Sequence, residues 1–153
     1  MTLRLLFSCL SAITLLVSGT IEERPQPRSA PTVKSVMDEV VTRLYGKFTP
    51  AQLDTLSDAY ILRLLSEEEK QILATRYWTF DVNVPVVVSL MHDQDQKILP
   101  FWLKNSGFQK TSLLVKNEEY TYEVWQKKFE KGNIALGING FDKHRPVYFV
   151  SVG

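Results

Sequence analysis

The spacing of apolar residues changes at Tyr77, and this change restricts the folds that the chain can adopt. Before Tyr77, apolar side chains recur at every third or fourth position, which is typical of one face of a helix. After it, Trp78, Phe80 and Val82 alternate with polar residues, as in a half-buried strand. Further strand-like runs follow at roughly ten-residue spacing, without a helical pattern between them. The sequence therefore predicts a mostly β fold, an antiparallel β-sandwich preceded by two or three short helices.

The helical segment, residues 33–76, contains helix start and stop signals. Gly46 is suited to end the first apolar face. At residues 49–52, Thr-Pro-Ala-Gln combines a capping side chain, a proline at the first helical position and a glutamine that reaches back to the cap. Residues 66–69, Ser-Glu-Glu-Glu, form a second capping box whose carboxylates suit the positive end of a helix dipole. Because successive helical residues point in different directions, these carboxylates do not converge on one metal ion.

The second half of the chain, residues 77–153, is predicted to be the β-sandwich module. Pro85 cannot donate to a sheet and therefore interrupts the first strand. Turn signals lie at residues 105–107, at 117–119 and at Asn139-Gly140, which is a strong hairpin-turn dipeptide. The predicted strands are residues 78–84, 86–91, 98–103, 111–116, 120–129, 134–138 and 147–152.

Residues 1–19 are typical of a secretory signal peptide. Arg4 supplies the positive charge, and the uncharged stretch 5–17 would rise about 20 Å as a helix, less than the hydrocarbon core of about 30 Å. Small residues lead to a cleavage site after Gly19. We therefore predict export to the periplasm or the extracellular space, with no membrane span after cleavage; a short uncleaved anchor or a buried helix is the alternative. The proline-rich residues 20–32 are predicted to be an extended linker.

The charge and the cysteine count exclude several function classes. Eighteen Lys and Arg residues against 17 Asp and Glu residues give a net charge of +1, which provides no general attraction to nucleic acid. The basic patch of Lys127, Lys128 and Lys131 is too small to change this. The single cysteine, Cys9, lies in the predicted signal peptide, so the exported chain forms neither an internal disulfide nor a cysteine-based zinc site. We predict no cofactor, no metal ion and no nucleic-acid partner.

Two polar clusters contain the residue types of catalytic or metal sites. Residues 92–95, His-Asp-Gln-Asp, offer an imidazole and two carboxylates to a divalent ion, although these residue types are more typical of a solvated turn. In residues 141–146, Asp142 could orient His144 as a general base, and Arg145 could hold a phosphate or a carboxylate. No serine or cysteine nucleophile in a recognisable motif accompanies them, which favours a hairpin loop. The sequence therefore assigns no catalytic, cofactor-binding or metal-binding residue.

Aromatic residues are the other candidate binding feature. Strand alternation places Tyr120, Tyr122 and Val124 on one face and Trp125 on the other. Inward-facing rings would form the core, which is the favoured interpretation, whereas exposed rings would stack on sugars or pack against a neighbouring domain. The aromatic group consists of Trp78, Trp102, Trp125, Tyr77, Phe101, Tyr120 and Tyr122.

Four segments resemble the region that precedes the catalytic domain in bacterial secreted metallophosphoesterases related to purple acid phosphatases. They are residues 77–89 (YWTFDVNVPVVVS), 100–103 (PFWL), 122–125 (YEVW) and 136–142 (LGINGFD). The resemblance covers roughly residues 66–153, and it implies a fibronectin type III-like sandwich ahead of a catalytic domain with two metal ions. The Gly-Asp and Gly-Asn-His-Asp/Glu metal-binding signatures of that domain are missing from this sequence, so no catalytic residue is carried over.

The resemblance leads to the functional prediction. We expect an exported, non-catalytic accessory module that works with a metallophosphoesterase catalytic domain, in cis or in trans. The alternative is a carbohydrate-binding or cell-surface-binding module that holds a polysaccharide on exposed aromatic residues. A self-sufficient hydrolase using Asp142 and His144 is the least favoured hypothesis, because the nucleophile and oxyanion elements are missing.

Overall fold

The computed structural model describes residues 29–141 and 148–153, in which helices precede strands, as the change of spacing at Tyr77 predicts. The predicted signal peptide at 1–19 and most of the predicted linker at 20–32 lie outside the described residues. Within the described ranges, no helix has the length and apolar character needed to cross a bilayer. The helices are α1 (Val33–Tyr45), α2 (Pro50–Leu53), α3 (Asp58–Leu64) and α4 (Glu67–Thr75). The strands are β1 (Trp78–Val82), β2 (Val86–Asp93), β3 (Gln109–Lys116), β4 (Thr121–Phe129), β5 (Gly132–Leu136) and β6 (Phe149–Val152).

Capping side chains determine where the helices begin. Thr49 and Ser66 each accept a hydrogen bond from the backbone three residues further on, and the side chain of that third residue bonds back to the cap. Both predicted capping boxes are thus confirmed. Ser57 adds a start that was not predicted, because its hydroxyl accepts the Tyr60 N–H at 3.3 Å and caps α3. The helical segment that begins at the Thr49 cap is therefore divided into α2 and α3, and the described residues contain four helices rather than two or three.

The strands form two antiparallel sheets, which confirms the predicted mostly β, sandwich-like architecture. The small sheet pairs β1 with β5, with Trp78 opposite Leu136. The large sheet has the strand order β3-β4-β2-β6, and β2 pairs with β4 over its whole length. Pro85 lies at the break between β1 and β2, and these two consecutive strands belong to different sheets.

The predicted strand at residues 98–103 is wrong. These residues form part of a series of bends and turns between β2 and β3. Pro100 has no amide hydrogen to donate to a neighbouring strand, and its carbonyl accepts the Leu103 N–H at 2.9 Å within a turn. Trp102 and Leu103 are nevertheless buried. The apolar run therefore reflects the burial of a turn segment and not pairing in a sheet.

Buried side chains form two neighbouring clusters. The sandwich core contains residues from both sheets and from the turn segment, and the helical core contains residues from α1, α3 and α4. Phe101 packs against both clusters. The sandwich core consists of Val88, Leu90, Trp102, Leu103, Phe108, Ile134, Leu136 and Tyr148, and the helical core consists of Val36, Val40, Ile61, Leu65, Ile72, Leu73 and Ile138.

Residues 137–138, which we call the seam, connect the two cores. The Ile138 N–H donates to the Leu73 carbonyl in α4 at 2.8 Å, and the Ile138 carbonyl accepts the Trp102 Nε1–H at 2.7 Å. The Gly137 carbonyl accepts the hydroxyl of Tyr148 at 2.5 Å. A Cβ atom on Gly137 would collide with the Trp102 indole and would lie 2.7 Å from the backbone of α4. The seam therefore requires glycine because two elements approach its backbone closely.

Candidate functional site

A group of aromatic side chains on the outer face of the large sheet is the main candidate site. We call Tyr120, Tyr122 and Phe149 the aromatic face. Tyr122 is buried, whereas Tyr120 and Phe149 are 37% and 49% exposed. The Tyr122 ring centroid lies 6.2 Å from that of Tyr120 and 5.3 Å from that of Phe149, the latter pair being edge-to-face. A buried central ring thus supports an exposed ring on each side.

Strand alternation places these rings on the outer face. Trp125 and Phe129 of β4 pack against the sandwich core, so Tyr122 and Val124 project from the opposite side of the same strand. This agrees with the prediction that Trp125 and Tyr122 lie on different faces. Tyr122 and Val124 are both buried although they lie on the face of the sheet opposite the sandwich core. Neighbouring side chains on that face therefore cover them.

Phe149 is the member of the aromatic face that the sequence prediction omitted. It begins β6 and lies opposite Met91 of β2. Its neighbour Val150 packs against the sandwich core, so Phe149 faces outward. The alternation within the predicted strand 147–152 places Phe149 and Val150 on opposite faces. It does not show which face is outward, because a change of one residue in register exchanges the two faces of a strand. Only the pairing with β2 fixes which residues point out.

The predicted aromatic group is divided between core and surface. Trp102 is buried, and Trp125 and Phe101 pack against the core from partly buried positions. Trp78, at the start of β1, and Tyr77 just before it are exposed. The core interpretation therefore holds for Trp102, Trp125 and Phe101 but not for the two residues at the start of the small sheet.

The polar cluster at residues 92–95 is divided between a strand and a turn. His92 and Asp93 end β2 and are buried, and as successive strand residues they point to opposite faces. Asp95 lies in the exposed turn, and its N–H donates to Asp93 Oδ1 at 3.0 Å. These groups do not converge on one ion. Within residues 29–141 and 148–153, no group of three His, Cys, Asp or Glu side chains is arranged to hold a metal ion.

His92 lies in a buried polar pocket at one end of the large sheet. It is opposite Glu123 of β4, whose carboxylate accepts a hydrogen bond from Lys110 at 2.6 Å. Gln96 is also buried, and its Oε1 accepts a hydrogen bond from Asn139 at 2.9 Å. The first bond joins β3 to β4, and the second joins the segment after β2 to the segment after β5.

Burial lowers the pKa of His92, and this effect outweighs the nearby carboxylates of Glu123 and Asp93, which raise it. The imidazole is therefore neutral at pH 7. Its Nε2 atom has no hydrogen-bond partner in the described part of the chain, and the residue is almost completely enclosed. A neutral imidazole that an external substrate cannot reach is a structural group in this arrangement and not an accessible general base.

The second polar cluster, residues 141–146, lies largely outside the described residues. Phe141 is described, and its N–H donates to the Asp58 carboxylate at 3.2 Å. Asp142, His144 and Arg145 fall outside the described ranges.

The glutamates at the start of α4 cap the helix, as predicted. Glu69 accepts the Ser66 N–H at 2.7 Å and forms an ion pair with Arg43 of α1. Burial alone would raise the pKa of Glu69, but the hydrogen bonds from Ser66 and Arg43 outweigh burial and lower it. Glu67 pairs with Lys70 at 2.6 Å. Glu69 therefore caps α4 and joins it to α1, and Glu67 pairs within α4.

The basic patch is reduced by an internal contact. Lys127 donates to the Ser106 carbonyl at 2.5 Å, and its ammonium lies 4.6 Å from the centroid of the Phe129 ring. The Lys127 ammonium therefore makes intramolecular contacts, and the basic surface is smaller than the sequence suggests.

Comparison with known proteins gave no match: no family model, no curated protein and no solved structure matches this chain.

Proposed function

We propose that this chain is an exported, non-catalytic β-sandwich module that works with a metallophosphoesterase catalytic domain and contacts it through the aromatic face. The observation that carries this proposal is the pair of exposed rings, Tyr120 and Phe149, on either side of the buried Tyr122 ring. Exposed apolar groups that lie together mark interaction sites more often than scattered ones do. The resemblance of roughly residues 66–153 to the region before such a catalytic domain supports the choice of partner.

The aromatic face has features of a protein-binding surface. Aromatic side chains are enriched in interfaces and bury a large area at a low cost in side-chain entropy. The turn beside Tyr120 is fixed, because Asn117 Oδ1 accepts the N–H groups of Glu119 and Tyr120 at 3.0 and 2.6 Å. Glu118 and Glu119 place negative charge at this end of the face. We therefore expect an apolar partner surface with a basic rim.

The binding experiment uses the exported chain and the isolated catalytic domain of a secreted metallophosphoesterase from the same organism. Isothermal titration calorimetry should detect binding, and replacing both exposed rings, Tyr120→Ser with Phe149→Ser, should weaken it at least tenfold. Tyr45→Ser, which removes an exposed ring from α1, is the matched control and should leave binding unchanged. No binding by the unmodified chain, or equal loss in the control, would contradict the proposal.

A second experiment tests whether the chain has catalytic activity of its own. The chain should not hydrolyse a chromogenic phosphomonoester, with or without added Mn²⁺, Zn²⁺ or Fe³⁺. Turnover that disappears in His144→Ala would support the self-sufficient hydrolase instead. N-terminal sequencing of the exported chain tests cleavage after Gly19.

Carbohydrate binding is the second candidate function, and the exposed Trp78 favours it. Trp78 and the preceding Tyr77 present two exposed rings at the start of the small sheet. Exposed aromatic faces stack against the apolar faces of sugar rings, and an indole offers the largest such surface.

Depletion assays with insoluble cellulose, chitin and peptidoglycan distinguish this candidate from the first. Retention on one of these polymers that is lost in Trp78→Ala and kept in the variant lacking the Tyr120 and Phe149 rings would favour a sugar-binding module. Retention on none of them would remove this candidate and leave the docking proposal in place.

A further inference from the structure

Strand β3 lies at an edge of the large sheet and carries exposed apolar residues. In the order β3-β4-β2-β6, its side away from β4 pairs with no other strand of the described residues. Leu113, Leu114 and Val115 are 55%, 53% and 46% exposed. An apolar edge strand pairs with another strand unless charge, proline or a covering element prevents it. We propose that β3 pairs with β3 of a second copy of this chain, antiparallel and with Leu114 at the centre.

The backbone of β3 presents free hydrogen-bonding groups at this centre. The Asn117 N–H donates to the Tyr120 carbonyl at 3.1 Å, so these two residues form a hydrogen-bonded pair. Opposed residues in an antiparallel ladder alternate between bonded and non-bonded pairs. Val115 and Tyr122 are therefore the next bonded pair. It follows that Leu114 and Lys116 direct their N–H and C=O groups away from β4, toward the open edge.

The sequence of β3 is complementary to itself in this register. With Leu114 opposite Leu114 of the partner subunit, Leu113 lies opposite Val115 of the partner subunit on the same face. Each exposed apolar residue of the strand thus meets another apolar residue, and cross-strand pairs of this kind stabilise sheets. A shift of one position would place Val115 opposite Ser112 of the partner subunit, or Leu113 opposite Lys116 of the partner subunit, and so lose one apolar pair at each end.

The charges at the two ends of β3 support an antiparallel arrangement of the two strands. Lys110 lies near the beginning of the strand, and Glu118 follows its end. Antiparallel pairing about Leu114 brings the end of β3 that carries Lys110 toward Glu118 of the partner subunit. Lys110 also pairs with Glu123 of its own chain at 2.6 Å, but half of its side chain is exposed and an ammonium has three donors. Because the proposed dimer is symmetric about a twofold axis, this contact occurs twice.

An irregularity in β3 lies outside the centre of the proposed pairing. The register with β4 shifts between Lys110 and Leu114. Thr111 satisfies the backbone there, because its hydroxyl donates to the Val124 carbonyl at 2.9 Å and accepts the Leu113 N–H at 3.1 Å. Residues 114–116 remain regularly paired with β4. Because two short strands bury less area than a standard interface, we expect a dimer whose population depends on protein concentration.

Sedimentation velocity of the exported chain, from low to high micromolar concentration, tests the proposal. The average mass should rise from that of the monomer toward that of the dimer. Leu114→Lys places two like charges opposite each other at the twofold axis and should keep the chain monomeric. Val152→Lys, on the other edge strand of the same sheet, is the matched control and should dimerise as the unmodified chain does. Far-UV circular dichroism of both variants confirms that they are folded.

Cross-linking supplies a second test that does not depend on a charge. In a Cys9→Ser background, Leu114→Cys should form a covalent dimer under mild oxidation. Lys128→Cys, at an exposed position on β4, should not.

The outcomes separate the proposed pairing from its alternatives. Dimerisation that is lost in Leu114→Lys, together with cross-linking in Leu114→Cys but not in Lys128→Cys, supports it. A chain that is monomeric at every concentration overturns it, even if the chain binds strands of other proteins. Dimerisation that Val152→Lys abolishes and Leu114→Lys does not would place the interface at β6 and also overturn it.

Discussion

The helical core and the sandwich core differ in how they are held together. Every buried member of the helical core is Val, Leu or Ile, so burial of aliphatic surface is its main stabilising contribution. The sandwich core contains Trp102, Phe108 and Tyr148, and Trp102 meets the other two edge-to-face. Two of these rings also donate hydrogen bonds to the seam. Directed contacts are thus concentrated where the two regions meet.

The contacts between the two cores indicate that the two halves of the chain are one cooperative unit. Ile138 belongs to the helical core although it follows β5, and Ala74 of α4 packs against the sandwich core. Each region therefore contributes a side chain to the other. We expect the helices and the sheets to unfold together, and the substitutions below test this expectation.

Trp102→Ala should have the largest effect. It removes a buried indole, leaves a cavity and deprives the Ile138 carbonyl of its donor, and we expect a loss of about 3–5 kcal/mol in the free energy of unfolding. Urea unfolding followed by far-UV circular dichroism and by tryptophan fluorescence measures it.

The two probes should give the same midpoint if the regions unfold together. Trp78→Ala is the matched control, because Trp78 is exposed and its loss should cost far less. A loss of helix signal at a different urea concentration from the fluorescence change would show two independent regions.

Gly137→Ala should have the next largest effect. The added methyl group collides with Trp102 and with the backbone of α4, and overpacking of this kind costs about 1–3 kcal/mol. Gly46→Ala is the control, since Gly46 has a φ of −72° and a Cβ there would lie 3.4 Å from the nearest atom, the Thr42 carbonyl oxygen. We expect this control to be neutral or to stabilise the fold by less than about 1 kcal/mol. Thermal unfolding measures the melting temperatures of the two variants. Equal changes in melting temperature would contradict close packing at the seam.

Tyr148→Phe should have a smaller effect, because only a hydroxyl is lost. The Gly137 carbonyl loses its buried donor, and we expect a cost of about 1 kcal/mol. The edge-to-face contact with Trp102 is retained by phenylalanine. Tyr45→Phe on α1, where the ring is exposed, should not change the urea midpoint. If both substitutions leave the midpoint unchanged, the hydroxyl does not stabilise the seam.

The smallest effects at neutral pH are expected from His92 in the large sheet and Glu69 in α4. Their contributions to stability are lost in different pH ranges, so pH distinguishes the two regions. Burial lowers the pKa of His92 from 6.5, so the unfolded chain binds more protons and stability falls as the pH decreases below 6.5. Although burial opposes it, hydrogen bonding lowers the pKa of Glu69 from 4.5, so its contribution is lost only below 4.5. Urea midpoints between pH 7 and pH 3 measure both losses. His92→Gln should remove the first loss and Glu69→Gln the second; an unchanged pH profile in either variant would contradict the assignment.

Local signals predicted much of this fold. The capping boxes at Thr49 and Ser66 depend on residues three positions apart, and the alternation after Tyr77 depends on neighbours two positions apart. Both are visible in the sequence and both are confirmed. The same kind of signal led to the wrong strand at residues 98–103, because an apolar run indicates burial without showing whether the backbone pairs with another strand.

The candidate site was only partly predictable, because its members come from separate strands. Tyr120 and Tyr122 were selected from one strand, but Phe149 joins them only through the pairing of β6 with β2. The burial of His92 and the role of Gly137 have the same origin. Each depends on an element that is distant in the sequence, and no local pattern records such a contact.

The hydrogen bond from Ile138 to Leu73 also has a consequence for the order of events during synthesis. The ribosome completes α4 long before it reaches Ile138, so the Ile138 N–H that bonds to the Leu73 carbonyl is not yet present when α4 emerges. Contacts between distant residues slow folding because a long loop has to close first. A nascent helical segment with its docking surface uncovered would therefore remain loosely folded until residues 137–138 have been synthesised.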